Sequence, residues 1–102
     1  MLVQLTMFPS GRSSESASKE VARVIDIIDK SGLPYRLGPM STTIEGSWDK
    51  VMATINKARL MLRRKHSRIY ISITIDDRKE ARGRIDGKIE SIQKKLGRKV
   101  RT

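Results

Sequence analysis

Apolar and polar residues alternate from Leu2 to Phe8, with Val3, Leu5 and Met7 on one side of an extended chain and Gln4 and Thr6 on the other. A period of two is that of a strand with one apolar face, and Pro9-Ser10-Gly11 ends it as a turn. Val21, Val24, Ile25 and Ile28 then recur at helical spacing, with Ser16 or Ser18 placed to cap the start and Gly32 to end it. Tyr35 to Gly46 reads as two short strands around an interruption at Gly38-Pro39, because proline cannot donate to a central ladder. Trp48, Val51, Met52, Ile55, Ala58 and Leu62 trace a second amphipathic helix, begun by Ser47 and ended near Arg63-Arg64-Lys65. Ile69, Ile71, Ile73 and Ile75 alternate with Tyr70, Ser72 and Thr74, a strand that must set one face on a core. Ile85, Ile89, Ile92 and Leu96 mark a third helix after the charged turn from Asp76 to Gly83, and a basic tail, expected to fray, runs from Gly97.

The order β-α-β-β-α-β-α predicts an α+β chain with the ferredoxin-like βαββαβ plan, a four-stranded antiparallel sheet with two helices on one face. The third helix is a C-terminal addition. The two longest and most apolar strands, the first and the last, are expected at the centre of the sheet. Gln4, Thr6 and Phe8 beside Tyr70, Ser72 and Thr74 then form a second sheet face too apolar at its ends to stay bare. A single domain over residues 1–102, small for a lone core, is expected to cover that face by forming a homo-dimer or a homo-tetramer.

Composition narrows the chemistry. Cysteine is absent and His66 is the only histidine, which removes disulfide scaffolds, thiolate metal sites and cysteine nucleophiles. No apolar run approaches the roughly 20 residues of a membrane span, and the amino terminus lacks a secretory pattern, so a soluble cytoplasmic protein with no membrane partner is expected. The net charge of +11 is unevenly spread. Arg12, Lys19, Arg23, Lys30, Arg36 and Lys50 are balanced by Glu15, Glu20, Asp26, Asp29, Glu45 and Asp49, so the excess lies beyond residue 50.

Motifs for catalysis are missing: no GxSxG, HExxH, P-loop or dinucleotide glycine pattern occurs, and no catalytic residue, metal site or cofactor is assigned. Asp76 and Asp77 are poor partners for a cation, since neighbours on an extended chain point to opposite faces and Arg78 and Lys79 compete for their charge. The sheet plan is shared with RNA-recognition modules, which stack bases on aromatic residues, yet the last strand offers only Tyr70 and aromatics are 4% of the chain. A diffuse attraction for phosphates by Arg63, Arg64, Lys65, Arg68, Arg98, Lys99 and Arg101 leaves a basic nucleic-acid or polyanion-binding module as the alternative function. The stretch from Gly32 to Gly46 gathers a tyrosine, a thioether, hydroxyls and Glu45 around two kinks. It reads equally as the lining of a small-molecule pocket and as sheet pairing, with Glu45 capping the helix that starts near Ser47.

Longer stretches decide between these readings. Phe8-Pro9-Ser10-Gly11, Ser31-Gly32-Leu33-Pro34-Tyr35, Gly38-Pro39-Met40-Ser41-Thr42-Thr43-Ile44-Glu45-Gly46 with Trp48-Asp49, Ile75-Asp76-Asp77-Arg78 and Gly87-Lys88-Ile89-Glu90-Ser91-Ile92 together resemble the small thiamine-binding protein family, long uncharacterised, along nearly the whole chain. Gly83-Arg84-Ile85-Asp86 and the tail are more basic than that family's pattern. The resemblance implies ferredoxin-like subunits associating through their sheets into dimers and tetramers, and binding of thiamine or its hydroxymethylpyrimidine moiety, as a carrier or sensor, with no reaction catalysed. For such a ligand Phe8 and Met40 supply apolar walls, Ser10, Thr42 and Thr43 hydroxyls, and Glu45 a carboxylate for the thiazolium, with Asp77 in reserve.

Overall fold

A computed structural model describes residues 1–10, 14–80 and 82–102; Gly11 of the expected first turn lies outside them. The elements are β1 (Leu2–Pro9), α1 (Ser14–Lys30), β2 (Tyr35–Leu37), β3 (Thr42–Glu45), α2 (Trp48–Arg63), β4 (Ile69–Asp76) and α3 (Arg84–Leu96). They form the α+β arrangement expected of a ferredoxin-like chain with an added helix. α1 begins at Ser14, so Ser16 and Ser18 lie inside the helix and neither precedes it as a cap. Gly32, at φ +78°, turns the chain out of α1. Ser47 does cap α2, its hydroxyl accepting the Lys50 N–H at 3.3 Å.

The sheet is antiparallel in the order β2-β3-β1-β4, which places β1 and β3 centrally and corrects the expectation that β4 would be a central strand. The connection explains it. β3 and β4 both run antiparallel to β1, hence parallel to each other, and the α2 crossover that joins them carries the chain over β1 to its far edge. β4 pairs along the whole of β1, from Leu2 opposite Asp76 to Pro9 opposite Ile69, whereas β3 reaches only from Leu2 to Leu5. The second half of β1 therefore continues past the end of β3. As an edge strand β4 is only half covered, and Ile73 is 37% exposed.

Side chains of one sheet face meet α1 and α2. Val3, Leu5, Met7 and Ile44 from the strands pack with Val24, Ile28, Val51, Ile55, Ala58 and Leu62 from the helices, all buried. Each of these side chains other than Ala58 contributes about 1.5–3 kcal/mol when taken fully out of water. On the opposite face the register lines up Gln4, Thr6 and Phe8 with Thr74, Ser72 and Tyr70, and the Phe8 and Tyr70 rings stack with centroids 5.0 Å apart.

α3 has no place in that core. Its first turn sits at the sheet end where β1 starts and β3 and β4 finish, and Arg84 is its only buried residue. Gly83, at the position of an N-cap, has no side chain to offer the free amides of the helix.

Candidate functional site

The seven residues proposed from the sequence fall into separate places. Phe8, Met40 and Thr42 line a cavity of about 210 Å³ between the second half of β1, the 38–41 loop and α1. Glu45 and Asp77 line an open groove of about 790 Å³ at the other end of β1, between Met1, Leu33 to Arg36 and residues 77–80 and 82–83. Thr42 and Glu45 are three strand steps apart, about 10 Å, and opposite Leu5 and Leu2 they lie on opposite faces of the sheet, so the two groups line separate spaces. Ser10 and Thr43 line neither space. The Ser10 amide donates to the Arg68 carbonyl at 3.0 Å, extending the β1–β4 ladder, and Thr43 pairs with Gln4 and Arg36 in the sheet.

The cavity follows from the short third strand. Where β3 stops at Thr42, the loop before it turns beneath β1 instead of pairing regularly: Gln4 Nε2 donates to Ser41 Oγ at 2.9 Å, and Thr6 Oγ1 donates to the Met40 carbonyl at 3.2 Å. The turn closes through the Gly38 N–H, which donates to the Ser41 carbonyl at 2.9 Å. A Cβ at position 38 would stand 2.8 Å from that same oxygen, so glycine is required to fold the loop this tightly. Its lining includes Leu5, Met7, Phe8, Val24, Ile28 and Met40, together with the hydroxyl-bearing Thr6, Ser41 and Thr42. Among the described residues, none of those that line it is charged. The sequence pattern marks Thr6 as a strand position, Val21, Val24 and Ile25 as a helix face and Ser41 as part of the family-like stretch, and assigns none of them to a ligand. The helical spacing of the valines marks a buried face but not what that face encloses.

The groove is built differently. Arg36, Lys50, Arg78, Lys79 and Arg82 share it with Glu45, Asp77, Glu80 and Asp86. Glu45 is buried and already engaged: it accepts the Arg84 N–H on Oε1 at 2.9 Å and Oε2 at 3.0 Å, and the Ile85 N–H at 3.4 Å. It thus caps α3, a helix 39 positions on, and not the helix that follows it. Around this cap Arg84 bonds the Asp76 carboxylate and carbonyl, Lys88 reaches Asp76 at 3.0 Å, and Arg36 pairs with Asp86. Hydrogen bonds from Arg84 and Lys88 bring the Asp76 carboxyl down from 3.8 to about 2.

Away from both spaces, His66 Nε2 lies 2.9 Å from Glu20 and ties the start of α1 to the turn before β4. Burial works to raise the Glu20 carboxyl, but hydrogen bonds with His66 and Arg23 outweigh it and hold the group below its usual value. Arg63, Arg64, Lys65 and Arg68 stand at this end of β4, while Arg98, Lys99 and Arg101 follow α3, which is rooted at the other end beside Asp76. Among the described residues no helix is long and apolar enough to cross a membrane.

The sequence profile described as thiamine-binding protein matches residues 3–93. The chain is 30% identical to a UPF0045 protein of Methanothermobacter thermautotrophicus, with 91% of this chain and 96% of that one covered. It is 31% identical to the UPF0045 protein YqgV of Bacillus subtilis, covering 93% and 96%. Its fold is similar to the crystal structure of a hypothetical protein from Methanocaldococcus jannaschii, with a TM-score of 0.80, 26% identity and 89% and 93% of the two chains covered.

Proposed function

Since the chain belongs to the thiamine-binding protein family, we propose that it is a cytoplasmic, non-enzymatic binder of thiamine or its hydroxymethylpyrimidine moiety, a carrier or sensor that holds the pyrimidine ring in the cavity beside β1. The lining, uncharged among the described residues, supports this reading. An aminopyrimidine is a flat ring with donors and acceptors on its edge, and it is matched by apolar walls with a few hydroxyls. At about 210 Å³ the space suits one ring better than the whole vitamin, which leaves the thiazolium outside. The charged groove is the poorer candidate for a cation, because its one buried carboxylate, Glu45, is taken by α3.

The same reading includes self-association through the open sheet face. In a chain of net charge +11, the row Gln4, Thr6 and Phe8 beside Tyr70, Ser72 and Thr74 carries no charge. A two-fold contact sets a patch against its own copy, so an uncharged patch is one that avoids like-charge repulsion.

Calorimetric titration with hydroxymethylpyrimidine, thiamine and thiamine phosphate tests the ligand. Binding of the first two is expected, weakened about two- to tenfold by Thr42→Val through loss of one neutral hydrogen bond. Absence of heat with every ligand at millimolar concentration would leave the family fold without this function.

A further inference from the structure

Ser47 caps α2, and Lys50 is the third residue of that helix, its amide donating to the Ser47 hydroxyl at 3.3 Å. Folding alone favours Glu or Gln at this position, whose side chain reaches back to a serine cap, and the positive end of the helix dipole disfavours a cation there. This chain has a lysine instead, and it makes no ion pair among the described residues.

Lys50 stands where two hollows meet. One is the charged groove of about 790 Å³ at the sheet end, and the other is a space of about 490 Å³ between α1 and α2 whose lining includes Lys30, Thr54 and Lys57. Leu33 and Lys50 line both. Among the described residues, none that lines the second space is acidic. Lys57 follows Lys50 by seven residues, two turns of α2, so both stand on one side of the helix about 10 Å apart along its axis. Lys30 is held by Asp26 at 2.9 Å.

The carboxylates of the groove are partly occupied, since Glu45 accepts the α3 amides and Asp86 pairs with Arg36. Asp77 and Glu80 are left against Lys50, Lys57, Arg78, Lys79 and Arg82, five cations without an ion pair among the described residues. One carboxylate would leave most of that excess unmatched. A diphosphate group, with about three negative charges near neutral pH and several strong acceptor oxygens, matches it. A single nucleic-acid strand asks for a continuous basic stripe with aromatic side chains under its bases. Asp77 and Glu80 interrupt the groove, and Tyr35, the aromatic residue of these linings, is tied through its hydroxyl to Asp29 at 2.8 Å.

We propose that the Lys50 junction is a binding site for a diphosphate-bearing anion, held by Lys50 with Lys57 on one side and Arg78 and Lys79 on the other. The site shares no residue with the cavity beside β1 and does not depend on thiamine binding.

Calorimetric titration of the full-length chain with inorganic pyrophosphate, at low ionic strength and without divalent cations, tests the site. Saturable binding of one pyrophosphate per chain is expected, with orthophosphate weaker. Lys50→Gln should weaken pyrophosphate by about tenfold or more through loss of a charged contact, and should also raise the melting temperature by completing the Ser47 capping box. Lys94→Gln, outside both hollows, removes the same charge and should bind as the wild type does. Equal weakening in Lys94→Gln, wild-type affinity in Lys50→Gln, or absence of heat at millimolar pyrophosphate would overturn the proposal. So would tighter binding of a single-stranded oligonucleotide that Lys50→Gln leaves unchanged, which would give the basic surface to nucleic acid. ADP distinguishes the source of the group: binding tighter than pyrophosphate supports a nucleotide, and weaker binding supports the free anion. If pyrophosphate fails while hydroxymethylpyrimidine still titrates into the wild-type chain, only this inference is lost, and the reverse result loses only the ring site.

Discussion

α1 and α2 are fastened to the sheet by apolar side chains along their length, whereas α3 is held by ions and amides at one turn. In the first region Val24, Ile28, Val51, Ile55, Ala58 and Leu62 pack with Val3, Leu5, Met7 and Ile44 of the strands. In the second, Glu45, Asp76, Arg84, Lys88, Arg36 and Asp86 form a clasp around the helix start, and the four apolar residues of α3 lie outside the core. Burial is cooperative and insensitive to pH. A clasp is local, and it loosens when one of its charges is removed. The body and the arm are therefore expected to open separately.

Truncating the same residue type in both regions gives the largest contrast. Leu62→Ala is expected to cost about 2–5 kcal/mol in urea unfolding, through lost burial and the cavity left behind. Leu96→Ala, at an exposed position, should stay within about 0.5 kcal/mol for the monomer. Equal losses would mean that α3 belongs to the same cooperative unit. Next comes Glu45→Ala, which strips the Arg84 and Ile85 amides of their acceptor. Amide exchange over 84–88 should quicken by an amount equivalent to about 1–3 kcal/mol, with the 51–62 amides unchanged.

Acid should undo the clasp before the core. The Asp76 carboxyl is lowered by its Arg84 and Lys88 partners from 3.8 to about 2, so between those values the released state binds the proton and the clasped state does not. Its contribution is complete above pH 3.8 and is lost as the pH falls through about 2. Amide exchange of α3 between pH 5 and 2 should show this dependence, and Asp76→Asn should flatten it. The smallest effect is expected for Arg36→Gln. Its pair with Asp86 is half exposed, and such pairs contribute about 0–1 kcal/mol. A larger loss in thermal melts would show that the clasp is tighter than surface electrostatics allow.

The same division decides what could be read from the amino-acid order. Elements that bury a face announce it by periodicity: Val3, Leu5 and Met7 mark β1, and Val51, Ile55, Ala58 and Leu62 mark α2. Periodicity also found α3, yet it says nothing about whether an apolar stripe is covered, and the lengths of β1 and β4 did not reveal that β4 is an edge. Glu45 shows the limit most clearly. A carboxylate two residues before Ser47 suggests a role for the helix it precedes, and only the folded chain reveals that its partners are the amides of Arg84 and Ile85. Likewise Phe8, Met40 and Thr42 could be named as wall and hydroxyl groups, but the separation of Glu45 and Asp77 from them is set by the register of β1 against β3.

The central claim, an uncharged ring site beside the second half of β1, is tested most directly by amide chemical shifts during titration with hydroxymethylpyrimidine. The predicted result is saturable movement at Phe8, Val24 and Met40 to Thr42, with Glu45, Ser47 and Asp77 at rest. Movement centred on Glu45 to Ser47 and Asp77, with the β1 cavity unmoved, would contradict it.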